Sequence, residues 1–145
     1  MKQMYTDCYC TQLRRASSNF TKVYDEALRP QGLRITQFSM LRGLARLGEA
    51  TLTALADELA LDRTTMSRSV KLLIDAGWVD FSAGEEDARE KILKLSERGK
   101  KKLQDATPAW SKAQAKVEKH MRGQVKSTTN RSLIEALEAL RIIAE

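Results

Sequence analysis

The sequence predicts a mainly α-helical fold with one small β-hairpin wing, and three observations support this fold class. Two short amphipathic helices are joined by a brief turn, two β-capable runs flank a charged loop directly after them, and both ends of the chain carry apolar residues at alternating spacings of three and four. In this order the elements describe a winged helix-turn-helix at residues 33–99, flanked by dimerisation helices at 5–29 and 100–145 of a single chain, residues 1–145.

The composition indicates a globular protein rather than a disordered one, because 42% of the residues are hydrophobic and 30% are charged. No apolar run approaches the roughly 18 residues of a membrane span, and the beginning, MKQMYTDCYC, lacks the apolar core of a signal peptide. We therefore expect a cytoplasmic protein.

The net charge of +6 is unevenly distributed along the chain. Residues 1–29 hold five basic and three acidic groups, residues 30–100 hold eleven of each, and residues 101–145 hold nine basic against five acidic. Because the central module is neutral overall, any DNA contact there has to come from local segregation of charge.

The first helix is predicted to begin near Tyr9 and to stop before Pro30 and Gly32. Its apolar positions form one seam: Tyr9, Leu13, Ala16, Phe20, Val23 and Ala27. Two more seams lie before and after the polar break KSTTN: Leu103, Ala106, Trp110, Ala113, Val117, and then Leu133, Leu137, Leu140, Ala144. An intramolecular bundle would also use such seams, but three of them in so short a chain favour a homodimer.

Between these seams the sequence predicts two shorter helices and an extended piece. Thr36 is placed to cap a helix that ends at Gly48, residues 50–52 are extended, and Thr53 is placed to cap the next helix.

A further helix follows the turn at residues 60–62 and is predicted to end at Gly77. One side of it is an apolar stripe, and the other side, the polar face, consists of Thr64, Thr65, Ser67, Arg68 and Lys71. Hydroxyl residues lower helix propensity, so an ordinary solvated face would favour Glu, Lys and Ala instead. The polar face therefore indicates a binding surface on the second helix of a helix-turn-helix.

The pattern changes to a period of two after Gly77. Residues 78–82 and 91–95 are β-capable runs that flank the loop AGEEDARE, which predicts a hairpin with a long tip. Ser96 is placed to cap the helix that follows.

Three segments of the chain match one known family in the right order. They are the stretch LRITQFSMLRGLARLGEATLTALADELALDRTTMSRSVKLLIDAGWV, the loop EEDARE with its Asp87 and Arg89, and LKLSERGKKKL with Ser96 where the family has threonine. On these segments the chain resembles the MarR family of bacterial transcription regulators. The resemblance implies a homodimeric repressor that offers two winged helices to a pseudo-palindromic double-stranded DNA operator.

For the polar face, this resemblance implies entry into the major groove of DNA. Arg68 would donate two hydrogen bonds to O6 and N7 of a guanine, the three hydroxyl side chains would meet base edges or phosphates, and Lys71 would meet phosphate. Arg89 would enter the minor groove with Asp87 holding its guanidinium, and a surface ion pair is the alternative for these two residues.

The hairpin departs from the family pattern. Asp80 and Phe81 stand where members usually place an arginine, and Glu90 follows Arg89 where a second basic residue is common. We therefore expect fewer phosphate contacts from the wing and an affinity that depends more on the polar face.

A redox input is implied by similarity to the organic-hydroperoxide-sensing branch of the family. Cys10 falls on the position of the reactive cysteine, and Tyr24 falls on one of the tyrosines that assist it, whereas Arg14 and Ile35 replace further tyrosines. Cys10 and Tyr24 are about 21 Å apart along one helix, so contact would require the antiparallel helix of a partner subunit. Two unreactive cytosolic thiols are the alternative.

The other input that the resemblance implies is a small anionic or aromatic ligand between the dimerisation helices and the winged helix. No cofactor and no metal are expected, because Cys8, Cys10 and the single His120 fall short of a four-ligand zinc site within one chain.

The sequence gives no indication of an enzyme. It contains no P-loop, no dinucleotide-binding fingerprint and no hydrolytic constellation around His120. One alternative is a winged-helix module that binds another protein without specific DNA binding, and the neutral charge of residues 30–100 is its support. A second alternative keeps DNA binding but makes the protein an activator, because repression or activation depends on where the operator lies.

Overall fold

The computed structural model describes residues 8–124 and 130–141, and it confirms a helical fold with a small sheet. In chain order the elements are α1 (Tyr9–Leu28), a 3-10 helix (Arg29–Gln31), α2 (Ile35–Leu47), β1 (Glu49–Thr51), α3 (Leu52–Leu59), α4 (Arg63–Asp75), β2 (Val79–Ala83), β3 (Lys91–Leu95), α5 (Glu97–Gln124) and α6 (Asn130–Arg141). No helix in these two ranges is long and apolar enough to cross a membrane.

The three strands form one antiparallel sheet in the order β1-β3-β2. Val79 pairs with Leu95, so the predicted hairpin is confirmed, and its first strand starts one residue later than predicted. The extended piece also lies one residue from its predicted place, and it pairs with β3 through Ala50 and Leu93. Strand β1 thereby ties the chain before the helix-turn-helix to the hairpin after it.

The predicted cap of α2 at Thr36 is wrong, because the helix begins one residue earlier, at Ile35. Asp25 Oδ1, from α1, accepts the Ile35 N–H at 2.7 Å, and Gln37 Oε1 accepts the Arg34 N–H at 2.9 Å. The start of α2 is therefore fixed in part by a carboxylate ten residues upstream, which no local capping pattern reveals.

The predicted cap of α3 at Thr53 is also wrong. Thr51 Oγ1 accepts the Ala54 N–H at 3.0 Å, so α3 begins at Leu52, directly after β1. The predicted end of α2 at Gly48 is confirmed, and this glycine has the positive φ of 78° that favours its residue type.

One hydrophobic core joins the helix-turn-helix to the sheet and to α5. Its largest fully buried side chains come from the 28–44 segment, from α3, from α4 and from both hairpin strands: Leu28, Phe38, Met40, Leu41, Leu44, Leu55, Met66, Leu73, Val79 and Leu93. This core holds α4 with its apolar stripe inward, so its polar face is turned to solvent.

The terminal helices expose apolar side chains outside this core. Helix α1 packs against α5, which continues through Pro108. Large apolar residues remain exposed on α1 and α6: Tyr9, Leu13, Phe20, Ile134, Leu137 and Leu140. Ala144 of the third predicted seam and most of the predicted polar break lie outside the described residues.

Candidate nucleic-acid interface

The turn between α3 and α4 fixes the start of the polar face. Helix α3 ends at Leu59, and its C-cap, Ala60, has a left-handed backbone with a φ of 51°. Asp62 then caps α4, because its Oδ1 accepts the Thr65 N–H at 2.9 Å and its Oδ2 accepts the Thr65 hydroxyl at 2.5 Å. These two hydrogen bonds hold the pKa of the Asp62 carboxyl below its ordinary value, and the bond from the Thr65 hydroxyl has the larger effect.

The five residues of the polar face are all exposed, on the side of α4 opposite the buried Met66, Val70 and Leu73. Lys71 Nζ forms an ion pair with Asp75 at 2.7 Å, whereas Arg68 takes part in no ion pair among residues 8–124 and 130–141. The guanidinium of Arg68 is therefore the strongest hydrogen-bond donor that this face offers to a ligand.

The hairpin tip is closed by hydrogen bonds of its own. The Gly84 N–H donates to the Glu90 carbonyl at 2.8 Å, and the Glu90 N–H donates to the Asp87 carbonyl at 3.0 Å. Asp87 Oδ1 accepts the backbone N–H of Arg89 at 2.9 Å, and this contact stands in place of the expected contact with the guanidinium. Asp87 thus shapes the loop, and the Arg89 side chain is exposed.

A groove of about 700 Å³, the wing groove, separates α4 from the hairpin. It is lined by charged side chains that include Arg63, Lys71, Arg89 and Lys91, together with Ser67 and the exposed ring of Phe81. Sequence reasoning missed Arg63 and Lys91. The spacing of residues 63, 67 and 71 places them on one side of the helix, and this signal could have added Arg63 to the polar face.

The end of α4, the hairpin and α5 meet at Ser96. Its hydroxyl donates to the Gly77 carbonyl at 2.6 Å and accepts the Gly99 N–H at 3.0 Å, which confirms the predicted cap of α5. Gly99 lies so close to Trp78 that an added Cβ would stand 1.9 Å from the Trp78 carbonyl oxygen. The first turn of α5 is therefore locked to the base of the hairpin, just after α4 ends at Asp75.

The two cysteines lie at the start of α1, and both are exposed thiols. Hydrogen bonds from the Thr11 side chain and then from its backbone lower the pKa of the Cys8 thiol. Arg14 Nη2 lies 3.8 Å from Cys10 Sγ. Cys8 precedes the first helical residue and has an extended backbone, as expected for a helix that begins at Tyr9.

Tyr24 lies most of the way along α1 and faces α5 of the same chain. Its hydroxyl donates to Gln114 Oε1. Burial, and then the charge of Glu118, raise the pKa of Tyr24. The described chain therefore does not bring Tyr24 to Cys10.

Two further clefts lie beside α1. One of about 780 Å³ runs between α1 and α5 and is mostly apolar, with Phe20, Val23, Val117 and Met121 in its lining and His120 among them. A smaller cleft of about 420 Å³ lies where α1 meets α2, and it is lined by Asp25, Arg29, Arg34 and Gln37, with residues 32–33. In the described part of the chain, no group of three or more His, Cys, Asp or Glu residues is arranged to hold a metal ion.

Comparisons with known proteins agree on one family. Residues 33–91 match the model of the MarR family. The transcriptional regulator MosR of M. tuberculosis, solved in complex with DNA, is 34% identical, with 94% of this chain and 100% of that chain covered and a TM-score of 0.71. An uncharacterised HTH-type transcriptional regulator of Bacillus subtilis, YwoH, is 32% identical over 94 residues, which are 65% of this chain and 68% of that protein. A cysteine-to-serine mutant of E. coli MarR, solved with operator DNA, shares the fold at 17% identity, with 93% and 92% of the two chains covered and a TM-score of 0.75.

Proposed function

This chain belongs to the MarR family, and from that premise we propose that it is a cytoplasmic, homodimeric repressor that binds a pseudo-palindromic operator and has no enzymatic activity. The observation that carries the proposal is the polar face of α4, which is fully exposed beside a charged hairpin on a winged helix-turn-helix. The relatives are transcription regulators, and MosR was solved in complex with DNA, which supports the same partner for this chain.

In this proposal α4 enters the major groove. Arg68 donates to O6 and N7 of a guanine, and the hydroxyls of Thr64 and Ser67 contact base edges or phosphates. The Thr65 hydroxyl already donates to Asp62, so it would act as an acceptor from a base amino group. Lys71 would exchange its surface ion pair with Asp75 for a phosphate, at small cost because both partners are exposed.

The homodimer would place two such helices on successive half-sites. The exposed apolar faces of α1 and α6 are the surfaces that a partner subunit would cover. Arg89, exposed at the hairpin tip, would then reach into the minor groove beside each half-site.

We propose thiol oxidation as the input that releases DNA. Hydrogen bonds from Thr11 lower the pKa of the Cys8 thiol, Cys10 lies beside the Arg14 guanidinium, and both thiols are exposed to solvent. A hydroperoxide would oxidise one thiolate to a sulfenic acid and leave as an alcohol, and the second thiol could then form a disulfide with release of water. Because α1 begins at Tyr9, such a disulfide would distort the first turn of the helix.

A small anionic ligand is the second candidate input. The cleft where α1 meets α2 lies between the terminal helices and the helix-turn-helix, and Arg29 and Arg34 in its lining suit a carboxylate. Movement of α1 against α2 would change the position of the helix-turn-helix relative to the dimer.

The test is a titration of the protein against duplexes from the region upstream of its own gene, first reduced and then treated with an organic hydroperoxide. Cys10→Ser and Cys8→Ser are titrated in parallel. We expect tight binding to one pseudo-palindrome that oxidation abolishes in the wild-type chain but not in Cys10→Ser or Cys8→Ser, because the disulfide needs both thiols. Tight binding that oxidant leaves unchanged would keep the DNA partner and direct the search to an anionic ligand, whereas equal, weak binding to all duplexes would contradict the proposed function.

A further inference from the structure

The wing groove carries cations on both of its walls. Arg63 and Lys71 line it from α4, and Arg89 and Lys91 line it from the hairpin. Two carboxylates of the hairpin tip also line it, and one of them, Asp87, already accepts a backbone N–H. The groove is therefore locally basic, although the winged helix as a whole is neutral.

Arg63 and Lys91 stand on opposite walls of the groove. Neither takes part in an ion pair within the two described ranges, whereas Lys71 is bound to Asp75. Both side chains are exposed, one on the first residue of α4 and one on the first residue of β3. A polyanion that runs along the groove would meet a positive charge on each side.

Phe81 supports the Lys91 side chain. Lys91 Nζ lies 5.0 Å from the centroid of the Phe81 ring, and this ring is 53% exposed, so it does not serve the core. The strand alternation puts Lys91 and Leu93 on the same side of the sheet and Lys94 on the other. The cation–π contact restricts the lysine to conformations in which its ammonium lies over the ring and beside the groove.

We propose that the wing groove holds the sugar-phosphate backbone of one DNA strand, with Arg63 and Lys91 contacting phosphates from opposite walls and Phe81 as a positioning residue for Lys91. This inference rests on the proposed function. Asp80 and Phe81 replace the arginine that family members usually carry near the start of the hairpin. The inference assigns a phosphate contact of the hairpin to Lys91 instead. Phosphate contacts act on every duplex alike, so they raise affinity and salt dependence without changing base preference.

The experiment measures binding against salt concentration on the operator and on a random duplex of equal length. The variants are Lys91→Gln, Arg63→Gln and the control Lys94→Gln, which removes the same charge from the other side of the sheet. We expect Lys91→Gln and Arg63→Gln each to reduce the slope of log K against log salt by about 1.8, which is about 0.9 for each of the two grooves of the dimer, and to weaken binding to both duplexes equally. Lys94→Gln should keep the wild-type slope.

The role of Phe81 is measured with Phe81→Leu, with Phe81→Tyr, and with Phe81→Leu combined with Lys91→Gln. We expect Phe81→Leu to lower affinity on both duplexes, Phe81→Tyr to restore it, and the double variant to bind like Lys91→Gln alone. Additive losses in the double variant would overturn the positioning role. Thermal unfolding of each variant checks that these exposed substitutions leave the fold intact.

The outcomes separate this inference from the proposed function. If the wild-type chain prefers its operator while Lys91→Gln and Arg63→Gln keep the slope of Lys94→Gln, the wing groove holds no strand and the proposed function stands. If the wild-type chain shows no preference for any duplex, both the proposed function and this inference are overturned.

Discussion

Arg68 and Lys71 lie one turn apart on α4, and their surroundings assign them different kinds of DNA contact. The Arg68 guanidinium has no carboxylate partner in the described chain, and its planar donors match the two acceptors of a guanine edge. The Lys71 ammonium is a point charge that pairs with Asp75, so it can exchange this carboxylate for a DNA phosphate, and such a contact carries little base preference.

We expect Arg68→Ala to weaken binding to the operator by about 1–3 kcal/mol for each half-site and to relax the preference at one base pair of each half-site. Lys71→Ala, the comparison on the same face, should weaken binding to operator and random DNA equally and flatten the salt dependence. Titration of both variants on both duplexes checks this. Equal losses for Arg68→Ala on the two duplexes would show that Arg68 contacts phosphate instead.

Asp62 gives α4 a cap whose strength depends on pH. Hydrogen bonds from Thr65 lower the pKa of this carboxyl in the folded state, so its contribution to stability is present above the unfolded pKa of about 4 and is lost as pH falls through the folded pKa. We expect Asp62→Ala to lower Tm by a few degrees at pH 7, and Asp62→Asn, which keeps an acceptor, to lower it less. Thermal unfolding from pH 7 to pH 2 should show the difference between wild type and Asp62→Asn shrinking below about pH 4, and a constant difference would contradict this account.

The caps also show which single residues can be read from the sequence. The predicted cap of α5, Ser96, directly precedes a helical pattern, and its contact with Gly99 is local. The prediction of Thr36 is wrong because a distant carboxylate, Asp25, satisfies the start of α2. The prediction of Thr53 is wrong because α3 begins directly after β1, so the last residue of that strand, Thr51, is the cap. Local propensity ranks candidate caps, and tertiary contacts choose among them.

At the scale of elements, the contact between α5 and the hairpin depends on a glycine. A Cβ on Gly99 would meet the Trp78 carbonyl oxygen at 1.9 Å, and this backbone atom cannot turn away as a side chain can. Trp78 is further held because its carbonyl accepts the Ser96 N–H at 3.1 Å. The close approach fixes the angle at which the first turn of α5 leaves the winged helix.

We expect Gly99→Ala to lower the free energy of unfolding by about 1–3 kcal/mol, because α5 has to shift away from the hairpin. Gly43→Ala is the matched control, since its added Cβ would meet only the ends of the Leu55 and Leu59 side chains, at 3.1 and 3.7 Å. Alanine also favours a helix over glycine by about 1 kcal/mol, which offsets that contact. Urea unfolding measures both variants, and equal stabilities for the two would contradict the role given to Gly99.

The elements themselves could largely be predicted from periodicity. The hairpin and the helix-turn-helix each bury one face, and the terminal helices each carry an apolar face, so a period of two or of 3.6 is visible in the sequence. The pairing of β1 with β3 and the placement of Arg63 and Lys91 in the lining of one groove could not be predicted, because both join segments that are far apart in the sequence and leave no local pattern.

At the scale of the whole molecule, the described chain leaves apolar surface on two helices that flank the winged helix. The exposed side chains of α6 recur at spacings of three, which places Ile134, Leu137 and Leu140 on one side of the helix. Apolar stripes of this kind are stable in water only when another surface covers them. A second copy of the chain would cover them and would also bring two α4 helices to one operator. Binding to the full operator would therefore depend on the apolar faces that hold the dimer together.

We expect Leu137→Asp to separate the dimer, because a carboxylate in an apolar interface costs about 3 kcal/mol or more, roughly a hundredfold in the dimer dissociation constant. Ala139→Asp is the matched control, because this substitution adds the same charge at an exposed residue on the opposite side of α6. Sedimentation equilibrium and operator titration check both variants. Leu137→Asp should bind a single half-site as well as wild type does and lose the extra affinity of the full operator, since one monomer engages one half-site only. If Leu137→Asp sediments as Ala139→Asp does and keeps full operator affinity, this face of α6 lies outside the dimer interface.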